Sequence, residues 1–190
     1  FIGQVFNEDA ADAYNAGIRR GIRNDKPVVA RYNVNDQGSG DMYPKPSNML
    51  HAIRHGLDND EQFRQVLRGL NKTFYHRTVT TQQIENYISK NLKFDYSKVF
   101  DQYLRTVQVP EFDFYFSNDK KKVFYRFSNC VKGFNLPLTL KNSNGKIRII
   151  PSELWKSIDV KEGEAGLFEK TAIEKMYYVT ALQQDNPTGK

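Results

Sequence analysis

Tyr43 is the residue of this sequence whose type and position best suit chemistry. A Gly-Ser-Gly run, Gly38 to Gly40, comes shortly before it and permits a tight, irregular backbone because glycine carries no Cβ. Pro44 follows it directly, and an apolar helix pattern then runs to Gly56. A phenol at the entrance of a helix is well placed to donate a hydrogen bond into a cleft. The alternative is a half-buried aromatic ring that only anchors the helix start, the commoner role of such side chains.

His51 and His55 are the second candidate pair, because histidines four residues apart share one helix face and match the spacing of paired zinc ligands. The residue after His51 is Ala52, where a zinc protease places its glutamate base. No downstream glutamate stands in an obvious third-ligand position. The sequence therefore predicts a surface or cavity-lining histidine pair, and we assign no metal ligand in this chain.

The other reactive side chains form no recognisable catalytic set. His76 lies in a predicted loop, and Cys130, the one cysteine, is predicted to be an inert core thiol within or just after a strand. The run Gly38-Ser-Gly40 lacks the lysine and the spacing of a phosphate-binding loop. No Ser/His/Asp or Cys/His arrangement can be assembled. By itself the chain therefore contains no complete active site.

The net charge of +6 is spread evenly, with an excess of +3 in residues 1–108 and of +3 in residues 109–190. Nucleic-acid binders usually concentrate positive charge on one face or helix. The one tight cluster, Lys120 to Lys122, follows Asn118-Asp119 and is predicted to be the exposed tip of a hairpin. We therefore expect no nucleic-acid partner, the alternative being a basic second half that binds nucleic acid or an acidic glycan. No apolar run approaches the roughly 18 residues that a membrane span needs, so no membrane segment is expected.

The hydrophobic periodicity predicts an α+β fold whose first part, residues 1–108, is an α-helical array of about five helices. Asn7 is predicted to cap a helix over residues 7–23. Asp58 and Thr80 are predicted to cap two later helices, the second with Gln83 in a capping box, and Asp95 to open a further one. The face of the first helix is predicted to consist of Ala10, Ala13, Tyr14 and Ile18.

At Pro110 the periodicity changes to that of strands, and residues 109–190 are predicted to form a small antiparallel β-sandwich domain. A hairpin joins residues 112–116 to residues 123–127, and a second hairpin joins residues 136–140 to residues 147–150. Residues 155–160 and 175–181 are further predicted strands, and residues 184–190 a frayed tail.

Four segments of the sequence, taken in order, resemble the C-terminal portion of an aminopeptidase-N-like (gluzincin) zinc metallopeptidase of the kind found in bacteria such as the Bacteroidetes. They begin with Tyr43-Pro44-Lys45-Pro46 and Met49-Leu50-His51-Ala52-Ile53-Arg54, and continue with Phe63 to Gly69, Tyr75 to Thr81 and Val99 to Arg105. The resemblance covers about residues 1–116 and is weaker over the β half. In the family pattern Tyr-x-Lys-Gly precedes the helix, so Pro46 stands where the family prefers glycine.

The resemblance implies that Tyr43 is catalytic and donates its phenol proton in a hydrogen bond to the oxyanion of peptide hydrolysis. It also implies that the zinc-binding helix and the exopeptidase motif precede Phe1. The chain is therefore expected to be a C-terminal fragment, inactive alone, of a full-length protein that holds zinc and takes a peptide substrate, with no zinc bound by this chain. A periplasmic or cell-surface location is compatible with this family. The alternative, motivated by the double-proline change beside Tyr43, Pro44 and Pro46, is a non-catalytic peptide- or protein-binding scaffold derived from a peptidase fold.

Overall fold

This computed structural model describes residues 2–143 and 145–186. In these ranges six α-helices precede the first strand, and a seventh lies between the fifth and sixth strands. The α+β class is thereby confirmed. The helices are α1 (Ile2–Val5), α2 (Glu8–Arg19), α3 (Pro44–Leu57), α4 (Asp60–Phe74), α5 (Thr81–Leu92), α6 (Ser97–Arg105) and α7 (Lys170–Met176), and the strands are β1 (Glu111–Phe116), β2 (Lys122–Ser128), β3 (Leu138–Asn142), β4 (Gly145–Ile149), β5 (Lys156–Asp159) and β6 (Thr180–Gln183). None of the helices in the described ranges combines the length and the apolar character needed to cross a bilayer.

Side-chain caps fix two helix starts as predicted. The Asn7 carboxamide accepts a hydrogen bond of 2.8 Å from the amide of Ala10, which satisfies one free donor in the first turn of α2. At α5, the amide of Gln83 donates to the Thr80 hydroxyl (3.3 Å) and the amide of Thr80 donates to the Gln83 side chain (2.8 Å). This reciprocal pair is the predicted capping box.

The junction between α3 and α4 differs from the prediction. Asn59, and not Asp58, caps α4, because its side chain accepts from the amide of Gln62 at 3.0 Å. Asp58 instead ends α3 in the left-handed conformation, with φ of 53°. The helix consequently continues through Gly56 to Leu57.

Two other helices are shorter than predicted. The helix predicted over residues 7–23 ends at Arg19. The helix expected to open at Asp95 begins at Ser97, because the Asp95 carboxylate accepts from the Ser97 amide at 2.9 Å and so holds the turn that precedes the helix.

The main sheet has four strands in the order β5-β2-β1-β6. The pairs β1–β2 and β2–β5 are antiparallel, whereas β1 and β6 are parallel, with Glu111 opposite Thr180. β3 and β4 form a separate antiparallel hairpin. Both predicted hairpins are therefore confirmed, but the sheets are small and one of them is mixed, so the second half is not a purely antiparallel sandwich.

The predicted strand over residues 175–181 is wrong in its first part. Both oxygens of the Glu169 carboxylate accept hydrogen bonds from backbone amides at the start of α7, which favours a helix there. β6 begins only at Thr180. The pairing continues past the strand, since the amide of Gln184 donates to the carbonyl of Phe114 at 2.8 Å, so Gln184 is not frayed. Residues 187–190 of the predicted tail lie outside the described residues.

Buried side chains from both halves of the chain belong to one hydrophobic cluster. Ile53 and Phe100 from the helices and Phe114, Phe127 and Leu138 from the strands are all at most 1% exposed. The division into domains at residue 108 coincides with the change from helices to strands and stays a prediction.

Gly56 lies where α3 meets the segment before β3, and a Cβ there would stand 2.3 Å from the carbonyl oxygen of Pro137. We expect Gly56→Ala to lower the free energy of unfolding by about 1–3 kcal/mol, because a backbone oxygen cannot move aside cheaply. At Gly17, on the exposed side of α2, nothing lies within 4 Å of such a Cβ. Gly17→Ala should therefore raise the free energy by about 0.5–1 kcal/mol. Urea unfolding of the two variants measures both changes in free energy. Equal changes for Gly56→Ala and Gly17→Ala would contradict the close packing of Gly56 against Pro137.

Candidate functional site

Tyr43 lies between the 3₁₀ turn Gly40–Met42 and the first residue of α3, Pro44. Its side chain is 79% exposed, which excludes the alternative of a half-buried anchor. Its side chain makes no capping hydrogen bond to the start of α3. The phenol therefore projects from a helix entrance and is available to a group outside this chain.

The backbone before Tyr43 is fixed by buried polar groups. The Asp41 carboxylate, 2% exposed, accepts from the amides of Arg23 (3.1 Å) and Asn24 (2.7 Å). Ser39, which is fully buried, accepts from the amide of Asp41 at 3.1 Å. Gly38 has φ of +78° and lies so close to the Val28 carbonyl that a Cβ would stand 2.4 Å from its oxygen. The glycine run is thus required by a close backbone approach, and hydrogen bonds hold the segment in place.

The backbone after Tyr43 is fixed in the same way by Lys45 and Asn48, both fully buried. The Lys45 ammonium donates to the carbonyl of Thr106 at 2.8 Å, and burial lowers the pKa of Lys45 while the nearby Asp41 carboxylate opposes that shift. The side-chain amide of Asn48 donates a hydrogen bond of 3.0 Å to the backbone carbonyl of Pro44. Tyr43 therefore stands between two anchored segments, and its remaining freedom is that of its own side-chain rotamers.

A second group of functional side chains joins α2 to α3. Asp12 on α2 faces His51 and His55 on α3, and its Oδ1 lies 3.0 Å from Nε2 of His51 and 2.8 Å from Nε2 of His55. The two Nε2 atoms are 3.2 Å apart. All three residues are at most 7% exposed. Of the described residues, only these three were found as a His/Cys/Asp/Glu group able to hold a metal ion.

Electrostatics keep Asp12 ionised in this cluster. Burial alone would raise the pKa of the Asp12 carboxyl, but the hydrogen bonds from His51 and His55 outweigh it, and the pKa lies well below its ordinary value. Burial lowers the pKa of His51, more strongly than its hydrogen bond with Asp12 raises it. The cluster thus contains a buried carboxylate in contact with two imidazole nitrogens.

A cavity of about 590 Å³ lies on one side of this cluster. His55 and Glu8 line it, together with Arg54, Asp60 and Lys141. Its charges are paired, because Arg54 binds Asp60 and Lys141 binds Glu8 at 2.9 Å. Tyr43 is not among the lining residues, so the structure does not bring Tyr43 and this cavity together.

The outcome for the histidines and for the first helix differs from the prediction. His51 and His55 are buried and not on the surface, although His55 does line a cavity. The predicted face of α2 is wrong as well: Ala11 and Asp12 point inward, and Tyr14 is 54% exposed. Sequence reasoning missed Asp12 because a carboxylate is an unexpected residue on a buried helix face. The buried Asp12 carboxylate is stable there because His51 and His55 of α3 contact it.

Cys130 follows β2 and is half-buried, and burial raises the pKa of its thiol to about 11. Cys130 is therefore beside the core and not within it as predicted, and its low reactivity stays a prediction, which the raised pKa favours because the thiolate is the reactive form. At pH 8 we expect iodoacetamide to modify Cys130 at least about tenfold more slowly in the folded chain than in urea. Mass spectrometry of timed samples measures both rates, and equal rates would contradict the assignment. His76 is exposed in the turn that follows α4.

No protein-family model matches the sequence, and no curated protein matches it. Among solved structures, the chain is similar to the crystal structure of Legionella pneumophila aminopeptidase A in complex with aspartic acid, with a TM-score of 0.52 and 15% sequence identity. The match covers 78% of this chain and 18% of that chain. At this identity the likeness shows the fold alone. The chain shares its fold with part of that protein and spans less than a fifth of that protein's length.

Proposed function

We propose that this chain is the C-terminal part of a zinc-dependent aminopeptidase, in which it supplies Tyr43 and part of the wall of the substrate cleft. The observation that carries the proposal is the placement of Tyr43: its phenol is 79% exposed, yet its backbone is held on both sides by fully buried Ser39 and Lys45. A solvent-exposed side chain on a rigid backbone suits a group that must contact a substrate in one geometry. The likeness in fold to an aminopeptidase supports the same class.

In this mechanism Tyr43 acts as a hydrogen-bond donor. The scissile carbonyl oxygen gains negative charge as the tetrahedral intermediate forms, and the phenol of Tyr43 donates to that oxygen. The donor binds the transition state more strongly than the substrate because the charge is larger there. Zinc bound by residues outside this chain would supply an activated water and polarise the same carbonyl. The sequence itself contains no His-Glu-x-x-His motif, so the chain alone is expected to be inactive.

The second candidate is a peptide- or protein-binding scaffold that has lost catalysis. Pro44 and Pro46 both stand in the first turn of α3, and Pro46 replaces the glycine that the related enzymes prefer. A proline there stiffens the entrance of the helix and removes a backbone donor, which a binding surface tolerates as well as an enzyme does.

One assay separates the two candidates. We expect the full-length protein to hydrolyse aminoacyl-nitroanilides, to lose that activity on zinc chelation, and to regain it when zinc is restored. The 190-residue chain alone should show no activity in the same assay. A full-length protein that binds peptides but hydrolyses none of a panel of aminoacyl substrates would overturn the enzyme and favour the scaffold.

A further inference from the structure

The three polar atoms between α2 and α3 have the spacing of ligands around one ion. Asp12 Oδ1, His51 Nε2 and His55 Nε2 form a triangle with sides of 3.0, 3.2 and 2.8 Å. Ligand atoms that lie about 2.0–2.1 Å from a tetrahedral zinc ion are roughly 3.3–3.4 Å from one another. The atoms would therefore have to separate by at most about half an ångström to hold such an ion.

Protons leave at least one contact of this triangle without a hydrogen bond. An ionised carboxylate only accepts hydrogen bonds, and each imidazole nitrogen either donates or accepts. Among three such atoms in mutual contact, at least one contact must join two donors or two acceptors. If both histidines donate to Asp12, the 3.2 Å contact between their Nε2 atoms is left without a hydrogen bond. A cation at the centre would be attracted to all three atoms once both Nε2 atoms are without a proton.

The surroundings of the two rings show what metal binding would require. A histidine that binds a metal through Nε2 donates its Nδ1–H to an outer partner. Here the Asn15 side-chain nitrogen, a donor, lies 3.3 Å from Nδ1 of His51, so the Asn15 amide would have to turn its oxygen toward the ring. A Glu8 oxygen lies 3.9 Å from Nδ1 of His55, within ion-pair distance but too far for a hydrogen bond. Lys141 orients the Glu8 carboxylate at 2.9 Å. Both His55 and Glu8 line the cavity of about 590 Å³, which gives an ion a route from solvent.

We propose that Asp12, His51 and His55 form a binding site for a divalent transition-metal ion, with Zn²⁺ as the occupant, that links α2 to α3. Two imidazole nitrogens and one carboxylate favour a borderline ion over Mg²⁺ or Ca²⁺, which prefer oxygen ligands. A solvent molecule from the cavity completes the coordination. This site lies within the chain, in contrast to the expectation that the chain binds no zinc. It is independent of the proposed catalytic zinc, whose ligands lie elsewhere.

The test is metal titration of the 190-residue chain after removal of metal with a chelator. We expect calorimetry to give one equivalent of Zn²⁺ bound, and Co²⁺ to give visible absorption of the intensity typical of four-coordinate sites. His55→Gln keeps a polar side chain near Asp12 but removes one ligand, so it should weaken Zn²⁺ binding by more than the roughly 10- to 100-fold that loss of an outer partner costs. The matched control is His76→Gln, which changes an exposed loop histidine and should leave binding unchanged.

Thermal unfolding with and without Zn²⁺ provides a second readout. The ion should raise Tm of the wild-type chain and of His76→Gln, but not of His55→Gln, because a ligand that binds only the folded state stabilises it. If His55→Gln does not fold by circular dichroism, Asp12→Asn, which keeps the shape of the side chain, takes its place. Binding of less than a stoichiometric amount, or binding that survives these ligand substitutions, would overturn the site. Neither readout involves peptidase activity, so failure here leaves the proposed function untouched.

Discussion

The turnover of the full-length protein should fall by about 10²–10³ when Tyr43 is replaced by phenylalanine, the range measured when one donor to an oxyanion is removed. Phenylalanine keeps the aromatic ring and removes only the hydroxyl. KM should change little, because the lost hydrogen bond is made in the transition state and not in the substrate complex. Since Tyr43 is 79% exposed, the substitution should leave the fold unaffected. Steady-state hydrolysis of an aminoacyl-nitroanilide gives kcat and KM for both proteins.

The matched control is Tyr75→Phe, because Tyr75 is similarly exposed, at 73%, but lies at the end of α4. It should retain wild-type kcat. If Tyr43→Phe also retains wild-type kcat, Tyr43 has no part in the mechanism. An equal loss in both variants would point to a general effect of removing surface hydroxyls and would likewise contradict the role of Tyr43.

The second large effect concerns stability. Phe114 is fully buried on β1, and its ring lies 5.7 Å from that of Phe112 and 5.8 Å from that of Phe168. We expect Phe114→Ala to lower the free energy of unfolding by about 3–5 kcal/mol, because the cavity opens in the core beneath β1, which has a neighbouring strand on each side. Domains of this size are typically stable by only about 5–15 kcal/mol, so the substitution would remove a sizeable fraction of the free energy of unfolding.

Urea unfolding followed by the fluorescence of Trp155 measures this change, since Trp155 packs against Tyr115 of the same sheet at 5.0 Å. Phe6→Ala is the control, because Phe6 is 71% exposed, and it should change the free energy by less than about 0.5 kcal/mol. A loss below about 1 kcal/mol for Phe114→Ala would contradict the central position of β1 in the core.

Features of the fold that depend on nearby residues could be predicted from the sequence. The capping box of Thr80 and Gln83 and the cap at Asn7 need only residues three positions apart, and both are present. The alternation that begins at Phe112 likewise predicts β1 correctly. Where two adjacent residues offered the same chemistry, as Asp58 and Asn59 do, the local pattern could not choose between them. The parallel pairing of β1 with β6 depends on distant segments and left no local signal.

The candidate sites show the same limit. The position of Tyr43 at a helix entrance follows from its flanking residues, and the structure places it there. Asp12 contacts His51, which follows it by 39 positions in the sequence, and His55, which follows it by 43 positions. No spacing rule within one helix could find it. Burial of a carboxylate is visible only once the packing of α2 on α3 is known.

The parallel pairing of β1 with β6 also affects the order in which the fold can form during synthesis. While the chain is synthesised, α2 to α6 can pack as they emerge, but β1 must wait for Thr180 before its second edge is paired. Until then a strand rich in phenylalanine presents unpaired amides and carbonyls to any neighbouring nascent chain. The protein is therefore most exposed to aggregation on the ribosome between the emergence of β1 and that of β6, an interval in which a chaperone would have most to protect.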